Sequence, residues 1–322
     1  MKVLKGIESF KELPPGCAIS IGNFDGVHLG HRKLLEVTAS LKSQNTARAT
    51  ALITFEPHPL TVLRPQAVPP RLTPLALKHK ILADLGIDYL VELAPSPQLL
   101  NLSAAAFWAL LREGAKPSHL VEGPTFTFGK NRGGDISTLR KWTAEASIEL
   151  HVIEPVQTIL TDMLLVSVSS SLIRWLLLNG RVRDAAICGG KAFTLVGDVV
   201  PGAQRGRDLG APTANLAVSD QLIPADGVYA GRCEIDGASY AAAISIGTNP
   251  TFGDNPRTIE PHLIGFKGDL YGRSLNLQIT DWLRDQETYP TTELLVEQIQ
   301  RDIRDTLSRR DDLSQRPVIA AP

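Results

Sequence analysis

Short apolar runs alternate with longer amphipathic stretches along the first half of the chain. The apolar runs are rich in β-branched residues and bounded by polar turns, which predicts buried strands. They are AISIG (18–22), RATALITF (48–55), DYLVELA (88–94), HLVEG (119–123) and IELHVIE (148–154). The amphipathic stretches predict helices at HRKLLEVTASLK (31–42), LALKHKILADLG (75–86), SAAAFWALLREG (103–114) and DISTLRKWTAEA (135–146). Because strands alternate with helices, this half is expected to form a doubly wound parallel α/β sheet.

Capping residues set the expected limits of two of these helices. Pro74 suits the first turn of the second helix, and Gly86 suits its end. Ser103 is expected to cap the start of the third helix, and Gly114 to lie just past its end.

The alternation of predicted strands and helices ends at about residue 187. Short β-like runs are then separated by Gly, Pro and Asp, which is typical of an antiparallel barrel. They are FTLVGDVV (193–200), PTANLAV (212–218), GVYAGRCEI (227–235), SYAAAISIG (239–247), IEPHLIGF (259–266) and LNLQITDWL (275–283). A helix is predicted at TTELLVEQIQRDIRDTL (291–307). We therefore expect an α/β domain over residues 1–186, a β-barrel domain with a C-terminal helix over residues 187–308, and a disordered tail over residues 309–322.

The composition is that of an ordinary soluble globular protein, with 43% hydrophobic and 21% charged residues. The formal net charge is -1, so the chain lacks the basic excess of a general nucleic-acid or anionic-membrane binder. Cys17, Cys188 and Cys233 are far apart, without zinc-ligand spacing, and are expected to be reduced, buried thiols in a cytoplasmic protein. We expect no signal peptide and no membrane-spanning helix.

A glycine-rich loop, GNFDGVHLGH (22–31), follows the first predicted strand and opens a helix. A helix N-terminus offers N–H groups and a positive dipole end to phosphate, and glycines let the backbone approach a ligand. His28 and His31 project from one side of the first turn, where two imidazoles can donate hydrogen bonds to the oxygens of a pentacovalent phosphorus transition state. The alternative is a turn with two incidental surface histidines. The candidate nucleotide-binding residues here are Gly22, Phe24, Asp25 and Gly26.

A serine-rich segment supports the same chemistry. Ser169, Ser170 and Ser171 come immediately before an apolar helix, and Arg174 follows one turn later. Three hydroxyl groups and a guanidinium suit a triphosphate. The alternative is a plain helix N-cap, a role that one serine alone can fill.

The barrel half carries a second candidate site. Residues 202–216, GAQRGRDLGAPTANL, read as a flap over nucleotide phosphates, with Gly206 and Arg207 as binding residues, or else as a flexible basic hairpin. Thr213 and Asn215 offer neutral oxygens to Mg²⁺. Glu260 stands in a strand-like segment, where a lone carboxylate suits a base that orients and deprotonates an alcohol.

These motifs, taken in order, resemble one known family. They are GNFDGVHLGH, FEPHP, FTFGKNRGGD, VSSSLIR, GDVVPGAQRGRDLGAPTANL, PADGVYAG, IGTNPTF, IEPHLIGFKGDLYG and LRDQETY. Their order and spacing resemble the prokaryotic bifunctional riboflavin kinase/FAD synthetase over roughly residues 10–308. The resemblance implies a nucleotidylyltransferase-like Rossmann domain for FMN adenylylation, followed by a riboflavin kinase barrel.

The resemblance also implies substrates and roles. Riboflavin and ATP would give FMN, and FMN and ATP would give FAD, with Mg²⁺ accompanying ATP. His28 and His31 would act on ATP phosphates, with the serine-rich segment closing the same site. Thr213 and Asn215 would hold Mg²⁺–ATP in the kinase, and Glu260 would be the base for the riboflavin 5′-hydroxyl. The implied flavin-binding residues are Thr125, Phe126, Phe128 and Arg284.

Some positions depart from the family pattern. Pro124 and Thr125 stand where a carboxylate or Asn is usual, and Gln286 replaces a usual Glu. Two other functions therefore stay open: a riboflavin kinase with a weakened or silent adenylyltransferase, and a flavin- or nucleotide-binding protein without turnover. Intact His28, His31 and Glu260 speak against the last of these.

Overall fold

The computed structural model describes residues 1–201, 213–248 and 257–309. The chain forms two compact units. The N-terminal unit comprises Met1–Pro69 and Leu75–Val156, and the C-terminal unit comprises Pro70–Pro74 and Gln157–Pro322. The boundary between the two functional domains, expected at residues 186/187, stays a prediction. The compact units divide the chain earlier, so residues 157–186 belong to the C-terminal unit.

A six-stranded parallel sheet forms the centre of the N-terminal unit, with the order β1-β4-β3-β2-β5-β8. The expected doubly wound fold is therefore confirmed. Its strands are β1 (Lys2–Lys5), β2 (Ala18–Ile21), β3 (Thr50–Phe55), β4 (Tyr89–Leu93), β5 (His119–Glu122) and β8 (Glu149–Val152). A small hairpin follows β5, formed by β6 (Thr127–Phe128) and β7 (Gly134–Asp135). The edge strand β1 was not predicted, because only one of its four residues is buried.

Helices connect these strands and cover the sheet. Their bounds are α1 (Leu29–Ser43), α2 (Leu60–Leu63), α3 (Leu75–Asp84), α4 (Pro97–Leu100), α5 (Ala104–Leu110) and α6 (Ile136–Glu145). Ser103 caps α5 as expected, by accepting a hydrogen bond from the Ala106 N–H. The expected stop at Gly114 is wrong, since a π-helical turn continues through Ala115. Gly114 is needed there because a Cβ would lie 2.9 Å from the Phe10 side chain.

An antiparallel six-stranded barrel forms most of the C-terminal unit, with the order β12-β11-β16-β13-β14-β15. A hydrogen bond from the Ala214 N–H to the Pro261 carbonyl joins the two outer strands. This confirms the predicted barrel. Its strands are β11 (Phe193–Val200), β12 (Asn215–Ala217), β13 (Gly227–Ile235), β14 (Ala238–Gly247), β15 (Thr258–Leu263) and β16 (Ser274–Arg284).

Three helices and a hairpin complete the C-terminal unit. They are β9 (Gln157–Ile159), β10 (Leu165–Ser167), α7 (Ser170–Leu178), α8 (Val182–Gly189) and α9 (Thr292–Ser308). Gln221 binds residues 70–74 to the barrel, because its amide donates to the carbonyls of Leu72 and Thr194. The three cysteines are free and buried, as expected, and burial raises the pKa of Cys17 and Cys188 to about 11. None of the described helices has the length and apolar character needed to cross a bilayer.

Candidate active sites

The N-terminal unit has its topological switch point between β2 and β5. From β2 the chain proceeds to β3 and β4 on one side, and later to β5 on the other. Ligands of open α/β sheets bind outside the carboxyl ends of the strands at such a point. The glycine-rich loop begins there, because Gly22 directly follows β2.

The glycine-rich loop has an unusual backbone. Phe24, Gly26 and Val27 have φ values of 49°, 86° and 40°, in the left-handed region. A β-branched residue rarely adopts this conformation, and strain of this kind collects at ligand sites. Phe24 and Val27 are fully buried and hold the loop in place. A Cβ at Gly22 would contact only the Phe24 ring, at 3.4 Å, so the folded loop by itself does not demand glycine there.

His28 and His31 meet at the start of α1. Their rings stack with centroids 3.7 Å apart and an angle of 15° between planes. His28 is the N-cap of α1, and its Nδ1 accepts a hydrogen bond from the His31 backbone N–H at 3.3 Å. The neutral His28 ring must then carry its hydrogen on Nε2. The structure therefore brings together both predicted histidines, and it gives His28 a capping role as well.

His31 is a neutral imidazole in this environment. Burial, the neighbouring His28 ring and the Lys78 ammonium hold the pKa of His31 well below its ordinary value of 6.5. Its Nδ1 is buried without a hydrogen-bond partner among the described residues. A buried polar atom that lacks a partner is costly, and a bound ligand is one way to satisfy it.

Lys78 of α3 contacts the glycine-rich loop, and the sequence analysis did not identify it. Its side chain is buried, and Nζ donates to the Asn23 carbonyl at 2.8 Å and to Thr54 Oγ1 at 3.1 Å. Lys78 lies four residues before the buried Leu82, on the core-facing side of α3. The helical pattern of α3 places an apolar residue at position 78, and the sequence has a lysine there. This mismatch was the feature that could have identified Lys78 as a functional candidate.

Glu122 is a second group that the sequence analysis missed. It ends β5 at the switch point, and its buried carboxyl accepts a hydrogen bond from the Ile21 N–H at 2.8 Å. Burial raises the pKa of Glu122 well above its ordinary value, against the opposing effect of that hydrogen bond. Burial therefore favours the neutral form of this carboxyl, which lies against the last residue of β2, just before the glycine-rich loop.

Glu122→Gln is expected to stabilise the protein increasingly as the pH rises above about 4.5. The unfolded chain releases the Glu122 proton near pH 4.5, whereas the folded protein retains it to a much higher pH. Between these two pKa values, the free energy of unfolding of the wild type therefore decreases as the pH rises, by about 1.4 kcal/mol per pH unit. Glutamine keeps the acceptor for Ile21 and does not ionise. The measurement is the difference in melting temperature between variant and wild type from pH 5 to pH 8; a constant difference would contradict an elevated pKa.

Pro124 and Thr125 form a tight turn after β5. The Phe126 N–H donates to the Gly123 carbonyl at 3.1 Å, with Pro124 at the second position and Thr125 at the third. This is a four-residue β-turn, and proline favours its second position because its φ is fixed. Thr125 is exposed and Phe126 is half-buried.

Phe128 belongs to the core of the N-terminal unit. Its ring lies 5.7 Å from Phe126, 6.0 Å from Trp142 and 6.2 Å from Phe107, centroid to centroid, and the residue is 8% exposed. The ring therefore packs inside an aromatic cluster. Its flavin-binding role stays a prediction, and Phe126, at the rim of that cluster, is the more accessible of the two.

The serine-rich segment begins α7 in the C-terminal unit. Ser169 is the N-cap, because its Oγ accepts from the Leu172 N–H at 3.2 Å. Ser170 and Ser171 are in the first turn, and the half-buried Arg174 donates from Nε to the Pro70 carbonyl at 2.7 Å. The plain N-cap role is thus confirmed for Ser169, and phosphate binding by the segment stays a prediction.

Glu260 lies on β15 beside other polar groups. Its cross-strand neighbour is Ser245 of β14, and its Oε1 accepts a hydrogen bond from Thr258 Oγ1 at 2.9 Å. Residues of β15 alternate between half-buried and buried, and Glu260 shares the half-buried face with Thr258 and His262. The Glu260 carboxylate therefore lies on a partly exposed face of the barrel, among other polar side chains.

Thr213 and Asn215 lie on the same face of the barrel. Ala214 between them is buried and is bonded to Pro261, the residue that follows Glu260. Because alternate residues of a strand face opposite ways, Thr213 and Asn215 share the half-buried face that carries Glu260. The structure thus places three predicted kinase residues on one face. The predicted residues Gly206 and Arg207 lie outside the described residues.

Gln286 takes part in the same region. Its Nε2 donates at 3.0 Å to the Oγ of Ser245, the cross-strand partner of Glu260. Gly247 has a φ of 144°, and a Cβ there would overlap the Gln286 amide. The glutamine therefore packs closely against the barrel strand instead of pointing into solvent.

Arg284 holds α9 to the barrel. Nε and Nη2 form two hydrogen bonds with the buried Asp302 carboxylate, at 3.0 and 2.7 Å. Burial opposes the charge of Arg284, but the hydrogen bonds and the attraction of Asp302 outweigh it and raise the pKa further. The guanidinium also lies 5.8 Å from the centre of the Tyr289 ring. This structural role is observed, and flavin binding by Arg284 stays a prediction.

Together, the two units define a class of protein. One unit carries a glycine-rich loop at the switch point of a parallel sheet, and the other is a barrel with a candidate base and neutral oxygens. Together these features are typical of a two-domain ATP-dependent transferase. Residues 10–167 match the family model for FAD synthetase, and residues 189–309 match the model for riboflavin kinase.

Curated relatives carry both domains. The bifunctional riboflavin kinase/FMN adenylyltransferase of Pseudomonas fluorescens is 33% identical over 307 residues, which cover 94% of this chain and 96% of the relative. The Escherichia coli K12 enzyme of that name is 33% identical over 309 residues, with the same coverage. The chain belongs to the family of bifunctional riboflavin kinase/FMN adenylyltransferases. It is an enzyme that phosphorylates riboflavin with ATP to FMN and adenylylates FMN with ATP to FAD, as the sequence predicted.

A solved structure shows the same fold. The Macrolide-efflux Protein from Streptococcus pneumoniae superposes with a TM-score of 0.84 and 28% identity, over 95% of this chain and 99% of that one. The match confirms the arrangement of a parallel α/β sheet, an antiparallel barrel and a C-terminal helix. ATP-dependent kinases and adenylyltransferases of these families use a divalent metal ion.

Proposed function

We propose that the riboflavin kinase reaction takes place on the half-buried face of β12 and β15. Glu260 accepts the proton of the riboflavin 5′-hydroxyl as its oxygen attacks the γ-phosphorus of ATP, and ADP leaves. Thr258 orients the carboxylate through its hydrogen bond to Oε1. The observation that supports this assignment is the common face of Glu260, Thr213 and Asn215.

Mg²⁺ is the metal ion that best suits this face. It prefers a few neutral or anionic oxygens together with phosphate and water, and it does not require a full protein cage. The Thr213 hydroxyl and the Asn215 side-chain carbonyl are oxygens of this kind. A bound ion would neutralise charge on the ATP phosphates, and the Thr213 and Asn215 side chains would hold it.

The adenylyl-transfer reaction is assigned to the glycine-rich loop. An oxygen of the FMN phosphate attacks the α-phosphorus of ATP, and pyrophosphate leaves. His28 and His31 donate hydrogen bonds to the phosphate oxygens as charge develops, and the first N–H groups of α1 add to them. The neutral state of His31 suits a donor that carries one hydrogen. Gly22, Phe24, Asp25 and Gly26 shape the loop.

Ser169–171 and Arg174 are proposed to bind phosphate groups of ATP. Hydroxyl groups at the start of α7 and the guanidinium one turn later suit the pyrophosphate portion of ATP. Thr125 and Phe126 are proposed to contact the flavin, with Phe128 supporting Phe126 by stacking. Gly206 and Arg207 are proposed to bind nucleotide phosphates in the kinase.

One incubation tests whether the full chain carries out both reactions in sequence. The full chain is mixed with riboflavin, ATP and Mg²⁺, and the flavins are separated by chromatography. FAD is the expected end product. FMN alone would indicate a silent adenylyltransferase, and unchanged riboflavin would indicate a binding protein. Repeating the incubation with Mn²⁺ or without added metal tests the assignment of Mg²⁺.

Thr125→Asn is expected to increase FAD synthesis without affecting FMN synthesis. Asparagine is tolerated at the third position of the turn, and its longer side chain extends the acceptor toward a ligand. One recovered hydrogen bond is worth about 0.5–1.5 kcal/mol, or roughly 2- to 12-fold in the Michaelis constant or turnover. The double variant Pro124→Glu, Thr125→Asn tests whether Pro124 keeps residue 125 away from the ligand. Equal or lower activity in both variants would show that the site is built around Thr125.

A further inference from the structure

Two histidines and a glutamate meet at the amino-terminal ends of β5 and β8. In this parallel pair His119 lies opposite Glu149, and Val121 lies opposite His151. All three polar side chains therefore share one face of the sheet. The glycine-rich loop lies beyond the carboxyl ends of the strands, so this cluster is at the other end of the sheet from the proposed adenylyl-transfer site.

The separations within the cluster fit a metal ion. His119 Nδ1 is 3.2 Å from His151 Nε2 and 3.5 Å from a Glu149 oxygen, and His151 Nε2 is 3.5 Å from the other Glu149 oxygen. Ligand atoms about 2.0–2.1 Å from a tetrahedral ion lie roughly 3.3–3.4 Å from each other. The two nitrogens are therefore close to the spacing of two ligands of a tetrahedral ion, and an oxygen of Glu149 lies at a similar distance from each of them.

The orientation of His119 is fixed by its second nitrogen. Nε2 lies 3.1 Å from the Thr46 carbonyl, which can only accept a hydrogen bond. Nε2 therefore carries the hydrogen, and Nδ1 presents its lone pair to the cluster. A backbone carbonyl in this position is the usual outer partner of a metal-binding histidine, because it fixes both the tautomer and the ring. His119 is buried, so its ring has little freedom to turn away.

We propose that His119, His151 and Glu149 form a binding site for a divalent transition-metal ion of the zinc class. Two imidazole nitrogens and one carboxylate suit Zn²⁺ or Co²⁺, whereas Mg²⁺ favours an all-oxygen environment. Three protein ligands leave a fourth position for water. The bound ion ties the edge strand β8 to β5. The other interpretation is a hydrogen-bonded histidine pair with no metal, for which the carboxylate is not required.

The test uses the full chain after treatment with a chelator. Co²⁺ is titrated in excess Mg²⁺, so that the oxygen-lined kinase site is already occupied, and visible d–d bands report four- or five-coordinate Co²⁺. In parallel, bound Zn²⁺ is measured by elemental analysis after desalting. The wild type is expected to bind about one ion per chain. Glu149→Gln and His151→Gln are expected to weaken binding by at least about 10-fold, the minimum loss seen even for outer-shell changes.

The variants are matched to keep the result interpretable. Glu149 has a side chain 65% exposed, so Glu149→Gln removes a ligand without disturbing the core. His79→Gln removes an imidazole that pairs with the Glu92 carboxylate elsewhere in the same unit, and this variant is expected to bind Co²⁺ like the wild type. Absence of d–d bands in the wild type, or wild-type binding by both Glu149→Gln and His151→Gln, would overturn the proposal.

Discussion

Glu260→Gln is expected to reduce the phosphorylation of riboflavin by about 10²–10⁴-fold while FMN-to-FAD conversion stays near the wild-type rate. Glutamine has the size of glutamate, and its carbonyl can still accept the hydrogen bond from Thr258 Oγ1. It cannot accept a proton from the 5′-hydroxyl. The loss should therefore lie in turnover, with little change in the melting temperature.

The control for Glu260→Gln is Glu234→Gln. Glu234 is an exposed carboxylate on β13 of the same barrel, and the same change of charge there is expected to leave both reactions unchanged. Each reaction is measured separately, with riboflavin or FMN as the starting flavin. Riboflavin phosphorylation at the wild-type rate by Glu260→Gln would remove Glu260 from the role of base.

His28→Asn and His31→Gln are expected to have the opposite effect, with FAD synthesis falling by about 10²–10³-fold per variant and FMN synthesis unchanged. Donors to a developing charge contribute about 2.7–4 kcal/mol each where they have been removed from other enzymes. Asparagine is a good N-cap, so His28→Asn retains the start of α1 and removes only the imidazole. The loss should appear mainly in turnover, because the donors act on the transition state.

The control for the histidine variants is again His79→Gln, which changes an imidazole of the same unit that lies outside the loop. Far-ultraviolet circular dichroism and melting temperature show whether α1 is intact in each variant. Unimpaired FAD synthesis in both His28→Asn and His31→Gln would mean that the imidazole pair stabilises the helix start and takes no part in the reaction.

Much of the fold could be predicted because its causes are local in the chain. Runs such as TALITF are mostly apolar and are buried on both faces of the sheet, which is typical of a central parallel strand. They alternate with amphipathic stretches, whose apolar residues recur with the helical period. Ser103 and Ser169 cap helices through bonds to residues three positions away. The candidate residues His28, His31 and Glu260 were visible for a similar reason, since each lies within a short motif.

The tertiary structure decided which distant residues meet. The order of the sheet places β2 beside β5, so the Ile21 N–H meets the Glu122 carboxyl across 101 positions of sequence. It also brings His119 to His151, and Lys78 of α3 to the loop that follows β2. Gly114 lies within a π-helical turn instead of ending the helix, and the Phe10 side chain packs where a Cβ of residue 114 would come too close. The spacing of apolar residues determines whether a segment forms a helix or a strand. The order of the strands, the burial of charged groups and the close packing of side chains depend on contacts between segments, which that spacing does not specify.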